Sequence, residues 1–324
     1  MKPPRLGFNE PASSFTGKPS PDRYARFVGR TLKNHRLYIM LLPGIVYFLI
    51  FKYLPMWGVL IAFKDYQPFL GFFDSRWVGG KHFVRFFGDP LFWMLLRNTV
   101  VLAFYNLIFF FPMPILLALL LNELRLQLFK RIVQTLVYIP HFVSWVVIVG
   151  ITYTFFTTEG GLVNEMIEQA GGEKLNVLVS ADWFRTMITA QVIWKETGWG
   201  TILFLAALSG VDPTLYEAAR IDGANRFRQL WHITMPTLRS TIVILLILRL
   251  GNFLDTGFEQ IYLMLNAMNR EVGEVFDTYV YTSGILQGQF SFSTAVGLFK
   301  SAVGLVLVLS ANYFARKVGE EGVY

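Results

Sequence analysis

Residues 217–236 read EAARIDGANRFRQLWHITMP, a polar stretch set between two long hydrophobic runs. Just upstream, Asp212-Pro213 predicts a helix start. An aspartate oxygen accepts from free backbone N–H groups, and proline suits the first turn. A short helix is expected over Tyr216–Ile221. Gly223 supplies a permissive break, a second helical piece is expected over Asn225–Ile233, and Pro236 marks the start of the next hydrophobic run. The stretch 212–236 therefore reads as a helix–turn–helix elbow projecting from the medium that buries its flanks.

Composition identifies that medium. Of 324 residues, 54% are hydrophobic and 16% charged, with a mean hydropathy of +0.45. A soluble domain of this length needs more polar surface. In lipid only helices and closed barrels satisfy every backbone group, and the apolar runs are too long for barrel strands. The expected fold class is all-α, a polytopic membrane protein. The net charge of +7 does not point to nucleic acid, because the basic residues flank hydrophobic runs, where they set topology.

Six membrane-spanning helices are expected: about Leu37–Phe63, Asn98–Leu121, Ile132–Phe156, Phe184–Leu208, Leu238–Met264 and Ala295–Ala315. The fourth carries a polar interruption at Lys195-Glu196-Thr197. Basic residues gather at Arg125, Lys130 and Arg131, at Arg220, Arg226, Arg228 and Arg239, and at Arg316 and Lys317. With the eight Lys or Arg of residues 1–36, they predict that both termini and the elbow are cytoplasmic. The acid-rich loop 157–183 and the loops 64–96 and 266–294 then lie outside, with a short interfacial helix expected around Lys81–Phe87. The basic segment 1–36 reads as a cytoplasmic tail rather than a secretory signal, weakly amphipathic from Asp22 to Arg36. Residues 37–96 are the first helix with its outer loop, 97–315 the core, and 316–324 a cytoplasmic tail.

Enzyme chemistry finds little support. With no cysteine, disulfides and thiol metal sites are excluded. His35, His82, His141 and His232 are scattered, so no metal site is expected. No Ser/His/Asp arrangement can be argued. Gly17-Lys18 and Gly80-Lys81 lack the rest of a phosphate loop, so no catalytic residue and no cofactor is expected in this chain.

The spaced residues Glu217-Ala218-Ala219, Gly223 and Ile233-x-Met235-Pro236 resemble the EAA signature of ABC importer permease subunits: EAA, three residues, G, nine residues, I-x-L-P. Met235 stands where leucine is usual and has a similar apolar volume. The resemblance implies the ABC importer type I permease fold, in the bacterial cytoplasmic (inner) membrane. It also implies that the elbow is a coupling helix docking on an ATP-hydrolysing subunit. Tyr216, Glu217, Ala218, Ala219, Arg220, Asp222, Gly223 and Phe227 would carry that contact. Implied partners are a second homologous permease, two subunits that bind ATP and Mg, an extracytoplasmic solute-binding protein and a carbohydrate.

Further likeness lies in Pro43-Gly44 with Tyr53-Leu54-Pro55, Asn98-Thr99, Tyr138-Ile139-Pro140 and Trp194-x-x-x-Gly198. These look like carbohydrate importer permeases, of the branch serving oligosaccharides and complex polysaccharides such as alginate. Sugars stack on aromatic faces and bond to amides, hydroxyls and carboxylates. The candidate path residues are accordingly Trp145, Trp194, Arg249, Asn252, Asp255, Thr256 and Glu259. Charge inside a span needs a partner or water. Arg249 either attracts a uronate carboxylate or pairs internally with Asp255 or Glu196. Lys52 and Lys300 are read as snorkelling from span ends, and His141, after Pro140, as sitting at a helix break. The alternatives are an ABC permease for a non-sugar solute and a secondary transporter. The latter often carries inverted repeats or paired broken helices, which the sequence does not display.

Overall fold

The computed structural model describes residues 35–319. The expectations for the basic tail up to Asn34, and for the last five residues, lie outside these. The chain divides into two units, Met1–Gly58 and Val59–Tyr324. Among the described residues, four helices are long and apolar enough to cross a membrane: Arg36–Phe63, Phe92–Glu123, Arg226–Gly251 and Phe290–Lys317. Two bent pairs bring the number to as many as six: Gln127–Phe142 with Trp145–Phe156, bent by 100°, and Ala181–Ser209 with Pro213–Ile221, bent by 69°. We number the spans in chain order. Span 1 is Arg36–Phe63, span 2 Phe92–Glu123, and span 3 the first bent pair. Span 4 is Ala181–Ser209, span 5 Arg226–Gly251 and span 6 Phe290–Lys317.

The helical fold follows the hydrophobic pattern, with two departures. Span 4 is one continuous helix through the polar Lys195-Glu196-Thr197, because both charged side chains find partners without breaking the backbone. Span 3 is broken at Pro140, where Ile139–Phe142 is a 3₁₀ turn and Ser144 caps the next helix by accepting from the Val147 N–H. Span 5 begins at Arg226 and ends at Gly251, well before Met264. Asn252–Gly257 is unwound, Gly257 takes φ +93°, and Phe258–Met264 is a separate short helix.

Prolines explain the irregular turns. In spans 1, 2 and 5 a π-helical turn (Leu49–Tyr53, Asn106–Phe110, Leu230–Thr234) ends two residues before Pro55, Pro112 or Pro236. The residue just before each proline donates to the carbonyl five back: Leu54 to Leu49, Phe111 to Asn106, and Met235 to Leu230. A proline clashes with the carbonyl four back and offers it no N–H, and the wider turn accommodates this misfit. Pro236 therefore does not start span 5. The helix runs through it from the elbow.

Between spans 1 and 2 lie a two-residue antiparallel pair, Lys64–Asp65 against Arg76–Trp77, and the expected helix Lys81–Phe87. Phe86 of that helix is fully buried among Phe92, Phe276 and Phe292. Its ring meets Phe92 edge-on at 5.0 Å, a favoured aromatic geometry. A second core joins spans 2, 3 and 4 to Phe258–Met264 through Leu102, Val149, Ile188 and Ile261. A third holds span 4 to spans 2 and 5 through Ala118, Phe204, Leu208 and Leu238.

Candidate functional site

The elbow is built by local bonds. An Asp212 side-chain oxygen accepts from the Thr214 N–H at 2.9 Å, with Pro213 in the first turn, and the helix runs Pro213–Ile221. The Thr214 N–H holds the Asp212 carboxyl below the usual carboxylate range. Gly223 has φ +75°, a left-handed conformation that favours glycine. The Ala224 N–H closes the turn on the Ala219 carbonyl at 2.8 Å. Asn225 then caps Arg226–Gln229, its side chain accepting from the Arg228 N–H at 2.9 Å.

Two bonds tie the elbow to the spans. The Tyr216 and Thr234 hydroxyls lie 3.0 Å apart. Arg226 reaches Glu123, at the end of span 2, at 2.9 Å. A groove of about 750 Å³ lies between them, with Arg125, Arg220 and Gln229 in its wall.

Glu217, Ala218, Arg220 and Asp222 are exposed, while Ala219 and Tyr216 are half-buried. Ile221 is 87% exposed and Phe227 67%, with Leu215 also open. Apolar side chains held out at a rigid elbow suit a partner surface that packs small residues closely.

The path candidates do not form one cluster. Arg249, Asn252 and Asp255 come together in a small cavity against Asn106 and Leu107 of span 2. Asn252 and Asp255 also line a neighbouring cavity of about 400 Å³ with Lys300 and Ser301 of span 6. Its floor is narrow because spans 5 and 6 nearly touch: a Cβ on Gly304 would lie 2.4 Å from the Gly251 carbonyl oxygen. Thr256 is buried beside them, its hydroxyl without a bonding partner. Glu259 is exposed on the separate short helix. Trp194 is exposed on an apolar cavity of about 430 Å³ with Trp183 and Phe155, away from Arg249. Trp145 stands at the break in span 3, with the Lys195 ammonium 5.5 Å from its ring centroid.

The internal pairs expected for Arg249 do not form. Asp255 is bound by Lys300 at 2.5 Å, and Lys300 also bonds Asp277. Lys300 therefore does not snorkel. It is a clamp on two carboxylates. Glu196 accepts from the His141 ring at 2.8 Å and lies 3.6 Å from Lys195. The Lys195 ammonium donates to the carbonyls of His141 and Val143, the latter at 2.9 Å, which satisfies the broken helix end. His141 sits at the break as expected, stacked on Trp199 at 4.3 Å. Gly198 completes the knot: a Cβ there would fall 1.9 Å from the Val137 carbonyl oxygen.

Sequence reasoning missed two groups. Gln191 of span 4 donates to the Thr152 hydroxyl at 2.8 Å and accepts from Gln260 at 2.7 Å, a buried network joining span 4 to span 3 and to Phe258–Met264. Arg185 donates to the Asn98 side-chain oxygen at 3.1 Å, and Asn98 in turn donates to the Glu271 and Glu274 carbonyls. Glutamines and an asparagine inside apolar runs were the available signal.

Residues 110–320 match the family described as Binding-protein-dependent transport system inner membrane component. The chain belongs to this family. It is a multi-pass component of the inner membrane. The permease is 59% identical over 303 residues to the polygalacturonan/rhamnogalacturonan transport system permease protein YteP of Bacillus subtilis (strain 168), covering 94% of each chain. It is 61% identical over 288 residues to Protein LplB of the same organism, covering 89% of this chain and 91% of that one. Among solved structures it resembles a chain of the bacterial alginate ABC transporter in complex with an alginate pentasaccharide-bound periplasmic protein. That match has a TM-score of 0.84 and 40% identity, covering 92% of this permease and 100% of that chain. The ABC importer permease fold implied by the resemblance is thus the fold found.

Proposed function

We propose that this permease is one of two homologous membrane subunits of an ATP-driven importer for oligosaccharides of acidic polysaccharides. A solute-binding protein delivers the sugar, and two ATP-hydrolysing subunits dock on the elbow. The observation that carries the reading is the elbow itself: capped at Asp212, bonded to span 5 through Tyr216 and Thr234, and presenting Glu217, Ile221 and Phe227 outward. Such a lever transmits motion of a docked subunit into spans 2 and 5, which opens the path alternately to the two sides. The relatives' names, for galacturonan-type and alginate transport, support the acidic sugar class. The chain acts without catalysis or a cofactor of its own, the elbow faces the cytoplasm, and ATP and Mg belong to its partners. The contact is carried by Tyr216, Glu217, Ala218, Ala219, Arg220, Asp222, Gly223 and Phe227.

The test is uptake and ATP hydrolysis by the reconstituted assembly with Glu217→Lys. Hydrolysis that persists while uptake is lost supports the coupling role. Normal uptake with normal substrate stimulation rejects it.

A further inference from the structure

Arg249 is a cation in the crevice for which the fold provides no carboxylate. No ion pair reaches it among the described residues. Asp255 shares its cavity but is held by Lys300, and Glu196, whose field reaches it, is held by His141 and Lys195. Its guanidinium lies over the Phe110 ring, 5.4 Å from the centroid, a contact that orients the charge without neutralising it.

Two neutral polar residues, Asn106 and Asn252, line the same cavity. Asn106, 4% exposed, has a side-chain oxygen with no partner. Asn252 spends one amide donor on the Leu248 carbonyl, a long 3.4 Å bond. Asn106 and Phe110 both belong to the π turn of span 2, a feature frequent at functional sites. An unpaired cation inside a span is costly unless water or an anion reaches it.

We propose that Arg249, with Asn106 and Asn252, forms a carboxylate subsite that reads the acidic group of a uronate residue in transit. The guanidinium forks onto the carboxylate. The Asn106 oxygen accepts from a sugar hydroxyl, and the 400 Å³ cavity alongside takes the ring. Lys300 takes no part, because its single charge is already opposed by two carboxylates. The inference rests on the importer reading above and assigns it a substrate chemistry at one residue.

The test uses the complete assembly in lipid vesicles with its binding protein, trigalacturonate, and the methyl ester of the same trisaccharide. Substrate-stimulated ATP hydrolysis is read for the wild type, Arg249→Gln and Arg249→Lys. The same binding protein is present throughout, so its preference cancels between variants. The acid-over-ester preference falls about tenfold in Arg249→Gln, as for one lost charge-assisted contact. Arg249→Lys keeps the charge without the fork and retains more of the preference. An unchanged ratio in Arg249→Gln, or equal ratios in the two variants, overturns the subsite. Equal stimulation by acid and ester in the wild type overturns the subsite and leaves the importer standing. No stimulation by either overturns both.

Discussion

The Tyr216 hydroxyl lies 3.0 Å from the Thr234 hydroxyl, joining the elbow helix to the foot of span 5 across eighteen residues of chain. Thr234 is buried and Tyr216 half-buried, so the bond is shielded from competing water. Neither helix can swing without the other while it is made.

Tyr216→Phe keeps the ring and removes that bond. The net stability cost is expected at about 1 kcal/mol. The larger effect is on transmission: uptake per ATP hydrolysed falls while the ATP-hydrolysing subunits still co-purify. Uptake and hydrolysis measured in the same vesicles give the ratio, and an unchanged ratio counts against the lever.

Gly198→Ala forces a methyl against backbone, 1.9 Å from the Val137 carbonyl oxygen. Backbone yields less readily than a side chain, so the loss is expected at about 3 kcal/mol or more. Gly150→Ala, in span 3, meets nothing within 4 Å and should be neutral or slightly stabilising. Thermal unfolding of the two variants in one detergent separates crowding at the knot from a general dislike of alanine.

Lys300→Met leaves Asp255 and Asp277 without their shared cation. Stranding a buried charge costs about 3–5 kcal/mol. The low end applies here, because the Asp255 side chain is 60% exposed and stays hydrated. Lys300→Met with Asp277→Asn should recover most of the loss. A double-mutant cycle on thermal stability checks it, and strict additivity would show that the clamp is not made.

Asp212 gives a pH signature at the elbow. Its carboxyl titrates lower in the folded chain than in the unfolded one. Its capping contribution is therefore complete above the unfolded value of about 4 and is lost as pH falls through the folded one. Asp212→Asn keeps an acceptor that does not titrate. Amide protection at the elbow, taken relative to the intrinsic exchange rate at each pH, should fall on acidification in the wild type and not in the variant.

Much of this architecture is legible in the sequence where the cause is local. Asp212-Pro213, Gly223 and Asn225 specify the elbow within a few residues, and Lys81–Phe87 forms as read. The end of span 5 was not legible. Phe253, Leu254 and Phe258 prolong the apolar run, and hydropathy does not register the unwinding from Asn252 to Gly257. Partners in space were hidden as well. Arg249 and Asp255 are six residues apart in sequence, yet Asp255 is claimed by Lys300, forty-five residues away. The break in span 3 was half legible: Pro140 announces it, but Lys195 and Gly198, which hold it, come from another helix.

The wide turns before Pro55, Pro112 and Pro236 have a consequence for bearing. An α-helix advances about 100° per residue, so one extra residue in a turn rotates everything downstream by about that angle. In span 5 the wide turn stands between the elbow and Arg249. The direction in which Arg249 points, toward span 2 rather than away from it, is thereby set thirteen residues earlier by Pro236. The azimuth of the crevice cation and the stance of the elbow are kept in phase by a missing N–H.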